Sequence, residues 1–266
     1  MNPGLELRSF PFPSQGDGVT AVVTTRRGGV SAGAYDSLNL GDHVGDDHEA
    51  VLENRHRLCL ALGVDRLTVA DQQHGNRVAL VDGASAGRGH DGVAESVRAF
   101  PATDSMITDV PGVALTILVA DCAPMVLFDP GRLAIGVAHS GRAGTVRGVL
   151  PKTVEAMAAA FGSDPADLLV GIGPAIGAGS YEIGDAQAAE VTAAFGAAGT
   201  GLLRPTRPGH RTFDLVGALR VQLRSAGVAD ANVYVMDVDT RMAADEFYSD
   251  RAARPCGRFM AAALLT

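Results

Sequence analysis

The stretch that decides the fold is Gly112-Val-Ala-Leu-Thr-Ile-Leu-Val-Ala-Asp-Cys-Ala-Pro-Met-Val-Leu-Phe-Asp-Pro-Gly-Arg-Leu-Ala-Ile-Gly-Val-Ala-His139. Val113–Ala120 reads as one apolar strand, Met125–Phe128 as a second and Leu133–Ala138 as a third, with Asp129-Pro-Gly-Arg132 as the turn between the last two. Paired as an antiparallel meander, the first and third strands run the same way. Cys122, after the first, and His139, after the third, then emerge at one end of a sheet whose strands lie ~4.8 Å apart.

Working outward, residues 19–25 form a β-branched strand ending at Arg26-Arg27-Gly28-Gly29. Asp46 or Asp47 caps a helix that runs to about Leu62 and stops at Gly63. Val69 to Val81 reads as strand with His74-Gly75-Asn76 as a kink, and the Gly-rich 82–103 segment reads as surface loop. Pro151 lies in the first turn of a helix to about Phe161. Leu168–Ile172 is a strand, Asp185 caps a helix to about Phe195, Asp214 caps another to Ala226, and Val233–Val238 is a late strand. Alternating strands and helices without a linker or repeat predict one α/β (α+β) domain over 1–266, with mixed sheets covered by helices.

The chain has 266 residues, 47% of them hydrophobic, with no tryptophan and a formal charge of -8. There is no basic stripe, which argues against a nucleic-acid partner. No apolar run approaches the ~20 residues of a membrane span, and Met1–Phe10 lacks the pattern of a signal peptide. The three cysteines, 59, 122 and 256, are odd in number and widely spaced. That favours free thiols in a reducing compartment, and the expectation is a cytoplasmic protein.

His74, Cys122 and His139 each stand where a strand gives way to a turn. Two imidazoles and a thiol suit zinc, and three protein ligands leave a fourth position for water or substrate. A lone strand histidine is usually structural, but Gln73, Gly75 and Asn76 around His74 are poor core residues. Cys59 reads as core, His43 as a minor candidate, and the other histidines as surface or loop positions. Asp121, at the end of a buried strand, needs a partner and suits orientation of a metal-bound imidazole. Asp121 and Asp104 are the candidates for general acid or orienter. Gly171-Ile-Gly-Pro-Ala-Ile-Gly177 fits neither nucleotide-loop pattern and reads as a tight turn. Arg26 and Arg27, at a strand end before two glycines, are placed to clamp a phosphate.

In order along the chain, the motifs resemble the YfiH-like family, also called the laccase-domain or multicopper polyphenol oxidoreductase family and related to purine nucleoside phosphorylases. The matching stretches are Thr24-Thr-Arg-Arg-Gly-Gly-Val-Ser31, Ser37-Leu-Asn-Leu-Gly41, His43-Val-Gly-Asp-Asp47, Gln72-Gln-His-Gly75, Ala120-Asp-Cys-Ala-Pro124 and Ala138-His-Ser-Gly141. They continue with Ile172-Gly-Pro-Ala-Ile-Gly177, Tyr181-Glu182, Phe247-Tyr-Ser249 and Gly257-Arg258. The resemblance implies a zinc site on His74, Cys122 and His139. It also implies phosphorolysis of adenosine, inosine, guanosine and methylthioadenosine, with adenosine deamination as a second reaction. Arg26 and Asn39 fall in motifs that line the family's pocket. Where that family usually reads His-Ala-Gly-Trp-Arg-Gly, this chain has His139-Ser-Gly-Arg-Ala-Gly144. The usual Tyr-Arg-Arg is Asp250-Arg251-Ala252, and a usual Cys-Thr is Asp239-Thr240. Arg142, from a shifted position, and Arg251 are the remaining candidates for the substrate's anionic group.

Two other chemistries fit the same residues. Cys122 and His139 suit the nucleophile and base of a cysteine hydrolase acting on peptidoglycan-related amides. Copper binds a His/His/Cys set more tightly than zinc does, so polyphenol oxidation by adventitious copper is a further alternative. A blue multicopper centre is disfavoured, because the seven histidines include no His-x-His pair.

Overall fold

The computed structural model describes residues 4–13, 18–92 and 100–266. The chain begins with β1 (Leu7–Ser9), β2 (Val19–Thr24) and α1 (His48–Leu62), followed by β3 (Leu67–Thr68), β4 (Val78–Leu80) and β5 (Ser105–Thr108). Next come β6 (Ala114–Val119), β7 (Ala123–Asp129), β8 (Ala134–Ser140), α2 (Arg142–Val146), α3 (Val149–Phe161) and β9 (Leu169–Ile172). The last third holds β10 (Glu182–Gly184), α4 (Asp185–Phe195), α5 (Ala197–Gly201), β11 (Leu203–Pro205) and β12 (His210–Phe213). It closes with α6 (Leu215–Ser225), β13 (Val233–Val235) and β14 (Phe259–Leu265).

Two larger sheets stack face to face. One has the order β1-β2-β14-β6-β3 and the other β13-β9-β7-β8-β5-β4; β10-β12-β11 form a small third sheet. Strand alternation divides the apolar residues between layers. Leu115, Ile117 and Val119 of β6 meet Val126, Phe128, Ile135 and Val137 of β7 and β8 in a core between the two sheets. The opposite faces of β7 and β9, with Met125, Leu127, Val170 and Ile172, pack on α3, α4 and α6. Ala114 and Leu118 of β6 point outward beneath Leu58 and Cys59 of α1. The result is helix, sheet, sheet, helix, a mixed α/β architecture with each sheet covered as expected.

The helix boundaries follow their caps. The Asp47 carboxylate accepts the Ala50 N–H, and Gly63 closes α1 in the left-handed region at φ 69°. The Asp214 carboxylate caps α6 by accepting the Gly217 N–H. At α4 the cap is Gly184, and Asp185 is the first helical residue rather than the cap.

The three strands β6, β7 and β8 do not form a meander. β7 and β8 pair as an antiparallel hairpin, but β6 lies in the opposite sheet. Its partners there are β3 and β14, the latter in register from Phe259↔Val119 to Ala263↔Leu115. Asp121, at φ 85°, turns the chain between the sheets. Cys122 and His139 still meet, because Ala123↔Ser140 and Pro124↔His139 pair at the open end of the hairpin. The run Val69–Val81 is also not one strand. Only Val78–Leu80 (β4) of it is strand; β3 (Leu67–Thr68) precedes it in the other sheet, Ala70 makes an isolated bridge to Phe100, and Gln72–Arg77 is an irregular loop. Val233–Val238 ends as strand at Val235. Of the 82–103 segment, residues 82–92 are turns as expected but Ser85 and Thr103 are buried, and 93–99 lie outside the described residues.

Candidate metal centre

His74, Cys122 and His139 come together from three separate elements. One ligand atom from each lies within 4.8 Å of the others. The imidazole centroids are 4.7 Å apart, with the rings inclined at 61°. His139 is buried at the end of β8, Cys122 is half-buried before β7, and His74 is exposed on its loop.

Asp104, immediately before β5, organises two of the three. Its buried carboxylate accepts the backbone N–H of Gln73 at 3.2 Å, of His74 at 2.9 Å and of Gly75 at 2.6 Å. The same group lies 2.8 Å from His139 Nδ1. Three amides converging on one carboxylate explain why the 72–77 segment abandons the strand and why His74 takes φ 55°. With Nδ1 committed to Asp104, His139 offers Nε2 to the centre. Gln72 secures the loop's other side, since its side-chain amide exchanges two 2.8 Å hydrogen bonds with the backbone of Leu118.

The imidazole's carboxylate is therefore Asp104 and not Asp121. The Asp121 carboxylate accepts the Thr240 hydroxyl and the Arg251 backbone N–H, each at 2.7 Å. It fixes the 250–258 segment beside Cys122.

Electrostatics favour a thiolate. Burial alone would raise the Cys122 thiol, but the charge and hydrogen bond of His139, with a hydrogen bond from His74, bring it down to about 6. Burial would lower His139, and the Cys122 thiolate and Asp104 raise it instead to about 9. Burial likewise opposes ionisation of Asp104, yet the His139 contact and the Gly75 and Gln73 amides hold it below the usual carboxylate range. A thiolate flanked by two imidazoles is the donor set that a divalent cation takes over with release of a proton. Cys59 and Cys256 differ, since burial pushes both thiols up, Cys59 to about 11.

The triad opens into a cavity of about 490 Å³ that also borders Tyr181, Asp250, Arg251, Arg254, Arg258 and His43. Of the four expected substrate residues, only Arg251 lines it among the described residues. Arg26 donates to the carbonyls of Asp36 and Ala244 and lies over the Tyr248 ring. Asn39 is buried, bonded to Gly41, Asp46 and the Arg258 N–H. Arg142 pairs with Glu190. Arg254 and Arg258 were not anticipated as wall residues. Their signal was the density of arginine in Arg251-Ala-Ala-Arg-Pro-Cys-Gly-Arg258.

A family model described as multi-copper polyphenol oxidoreductase laccase matches residues 20–266. The chain belongs to this family. A purine nucleoside phosphorylase of Mycobacterium tuberculosis is 38% identical over 249 residues, 91% of this chain and 90% of that protein. The purine nucleoside phosphorylase YlmD of Geobacillus stearothermophilus is 35% identical over 247 residues, 92% and 89% of the two chains. Solved structures agree on the fold. The Bacillus licheniformis hypothetical protein YfiH aligns at TM-score 0.92 and 30% identity, covering 98% of this chain and 99% of that one. The crystal structure of YlmD aligns at TM-score 0.91 and 33% identity, covering 98% and 97%. No helix among the described residues is long and apolar enough to cross a membrane.

Proposed function

We propose that the protein is a zinc-dependent purine nucleoside phosphorylase acting in the cytoplasm. Its substrates would be inosine, adenosine, guanosine and methylthioadenosine, with adenosine deamination as a second reaction. The observation that carries the reading is the convergence of His74, Cys122 and His139 on one point of a cavity with a cationic wall. The names of the relatives supply the reaction.

The donor set fits zinc, with His74 and His139 as nitrogen ligands and Cys122 as sulfur ligand. A zinc ion held by these residues would supply Lewis-acid polarisation of a substrate oxygen. The protein's own residues do the rest. Asp104 locks the His139 ring, Asp121 pins the Arg251 backbone, and Arg251 offers a guanidinium to an anion. Tyr181, whose ring lies 5.4 Å beneath the Arg251 guanidinium, supports that side chain in the cavity wall. In phosphorolysis a phosphate oxygen bonds to the ribose anomeric carbon as the N-glycosidic bond breaks, and the purine leaves with a proton. Holding phosphate and nucleoside together lowers the entropic part of that barrier.

The test is a nucleoside panel with and without phosphate, using protein purified without added metal and analysed for its metal content. The reading expects free base and ribose 1-phosphate only when phosphate is present. Release of neither from any purine nucleoside by metal-loaded protein contradicts it.

The Asp104–His139–Cys122 order favours one rival, a cysteine hydrolase with Cys122 as nucleophile. Hydrolysis of an amide substrate that survives chelation and stops on Cys122 alkylation would select the rival.

A further inference from the structure

The segment 250–258 gives the cavity a wall with three arginines and one carboxylate, Arg251, Arg254, Arg258 and Asp250. Both ends of the segment are anchored. The Arg251 N–H donates to Asp121, the neighbour of Cys122, and the Arg258 N–H donates to buried Asn39 at 2.8 Å. Gly41 lets Arg258 lie close, since a Cβ there would stand 2.8 Å from Arg258 Cγ. The cations are thus held beside the metal centre by the backbone, which leaves the guanidinium groups to choose partners.

Those partners are few. Arg251 reaches the Glu182 carbonyl at 2.8 Å and lies over the Tyr181 ring, and Arg258 reaches the carbonyls of Cys256 and Gly257 and the Cys256 sulfur. Arg254 donates to the Asp250 carbonyl and pairs with the Asp250 carboxylate, whose other oxygen lies 3.8 Å from Arg258. One carboxylate therefore stands between two guanidinium groups. The other two acids lining the cavity are engaged elsewhere, Asp121 with Thr240 and the Arg251 N–H, and Asp71 with Gln73. With five N–H donors on each guanidinium, most donors in this wall remain for a ligand.

We propose that Arg251, Arg254 and Arg258 form an oxyanion subsite for inorganic phosphate, with Asp250 as a built-in counter-ion that phosphate displaces. The proposal deepens the phosphorolysis reading and rests on it for the identity of the anion. Phosphate brings more charge than a carboxylate and more acceptor oxygens, in a geometry that guanidinium groups match. Arg254 is 74% exposed, so exchanging one partner for another there needs no repacking of the core. A cavity of about 490 Å³ lies in the range that takes a nucleoside-sized ligand.

The experiment is calorimetric titration of the metal-loaded protein with inorganic phosphate, without nucleoside. It compares the natural chain with Arg254→Ala and Asp250→Asn. Arg254→Ala should weaken phosphate about tenfold, the size of one lost charge-assisted hydrogen bond. Asp250→Asn should tighten it severalfold, because the internal competitor is gone. Nucleoside binding should move with neither. Both variants sit at the rim, and matching unfolding curves would exclude loss of fold. Phosphate affinities equal to the natural chain in both variants would overturn the proposal. A parallel titration with a nucleoside 5′-monophosphate guards the anion's identity: Arg254-dependent binding of the ester with none of inorganic phosphate would also overturn it. If phosphate binds with the expected pattern while no nucleoside is cleaved, the subsite stands and the reaction falls.

Discussion

Replacing Asp104 should loosen the metal centre more than any other change outside the three ligands. Its carboxylate accepts three loop amides and holds His139 Nδ1 at 2.8 Å. Asp104→Ala leaves four donors without an acceptor. The amides belong to loop residues that are exposed or half-buried, so water replaces most of what they lose. The ring of His139 is buried and has no such relief. At ~1–3 kcal/mol for a buried group left unsatisfied, a total loss of ~2–4 kcal/mol of stability follows. Asp104→Asn keeps the volume and one acceptor but turns an NH2 toward the amides, so the loop carrying His74 should shift. Loss of a carboxylate behind a ligating imidazole typically lowers metal affinity by ~10–100-fold. The assay is competition for zinc with a chromophoric chelator, alongside the pH profile of Cys122 alkylation in the stripped protein. Asp104→Asn should lower the affinity and move the alkylation midpoint upward, because His139 loses the carboxylate that supports its charge. Unchanged affinity and an unchanged midpoint would refute the role given to Asp104.

Gly141→Ala removes no ligand, yet its Cβ would lie 2.5 Å from Cys122 Sγ and 3.4 Å from His74 Nδ1. Metal content after dialysis should fall sharply while the circular dichroism spectrum stays unchanged. In stripped protein, Cys122 should react with iodoacetamide at pH 7 and lose reactivity as the pH falls through about 6, where its thiolate takes up a proton. Mass spectrometry should find Cys59 and Cys256 unmodified under the same conditions, and zinc should slow the labelling of Cys122. The Asp104 carboxylate, held below its ordinary value, contributes stability that is fully present above ~pH 4 and is lost as the pH falls through its folded value. In acid titrations of the stripped protein, Asp104→Ala should therefore narrow its stability gap to the natural chain as the pH drops. Gly171→Ala would set a Cβ 2.5 Å from Phe10 Cδ1 in the core between the sheets, at a cost of ~1–3 kcal/mol in thermal unfolding.

The caps of α1 and α6 were legible because each depends on neighbours in sequence. Asp47 and Gly63 bracket α1, and Asp214 opens α6, at the expected positions. The triad stood out because its residues interrupt apolar strands. The pairing of β6 was not legible, since nothing within Val113–Ala120 reveals a partner as distant as Phe259–Leu265. That only Val78–Leu80 of the Val69–Val81 run forms a strand was hidden for a similar reason. Asp104 breaks that run from thirty residues away, and local β-propensity carries no trace of it. Asp121, beside Cys122 at a strand end, stood out over Asp104 as the carboxylate for the imidazole. Only the turn at Asp121, which sends its side chain to Thr240, separates their roles.

X-ray absorption at the zinc edge of the loaded protein reads the ligand set itself. The expected shell is one sulfur at ~2.3 Å, two imidazole nitrogens at ~2.0 Å and one lighter atom that exchanges when phosphate or nucleoside is added. A sulfur-free shell, or a fourth ligand from the protein that nothing displaces, would contradict it.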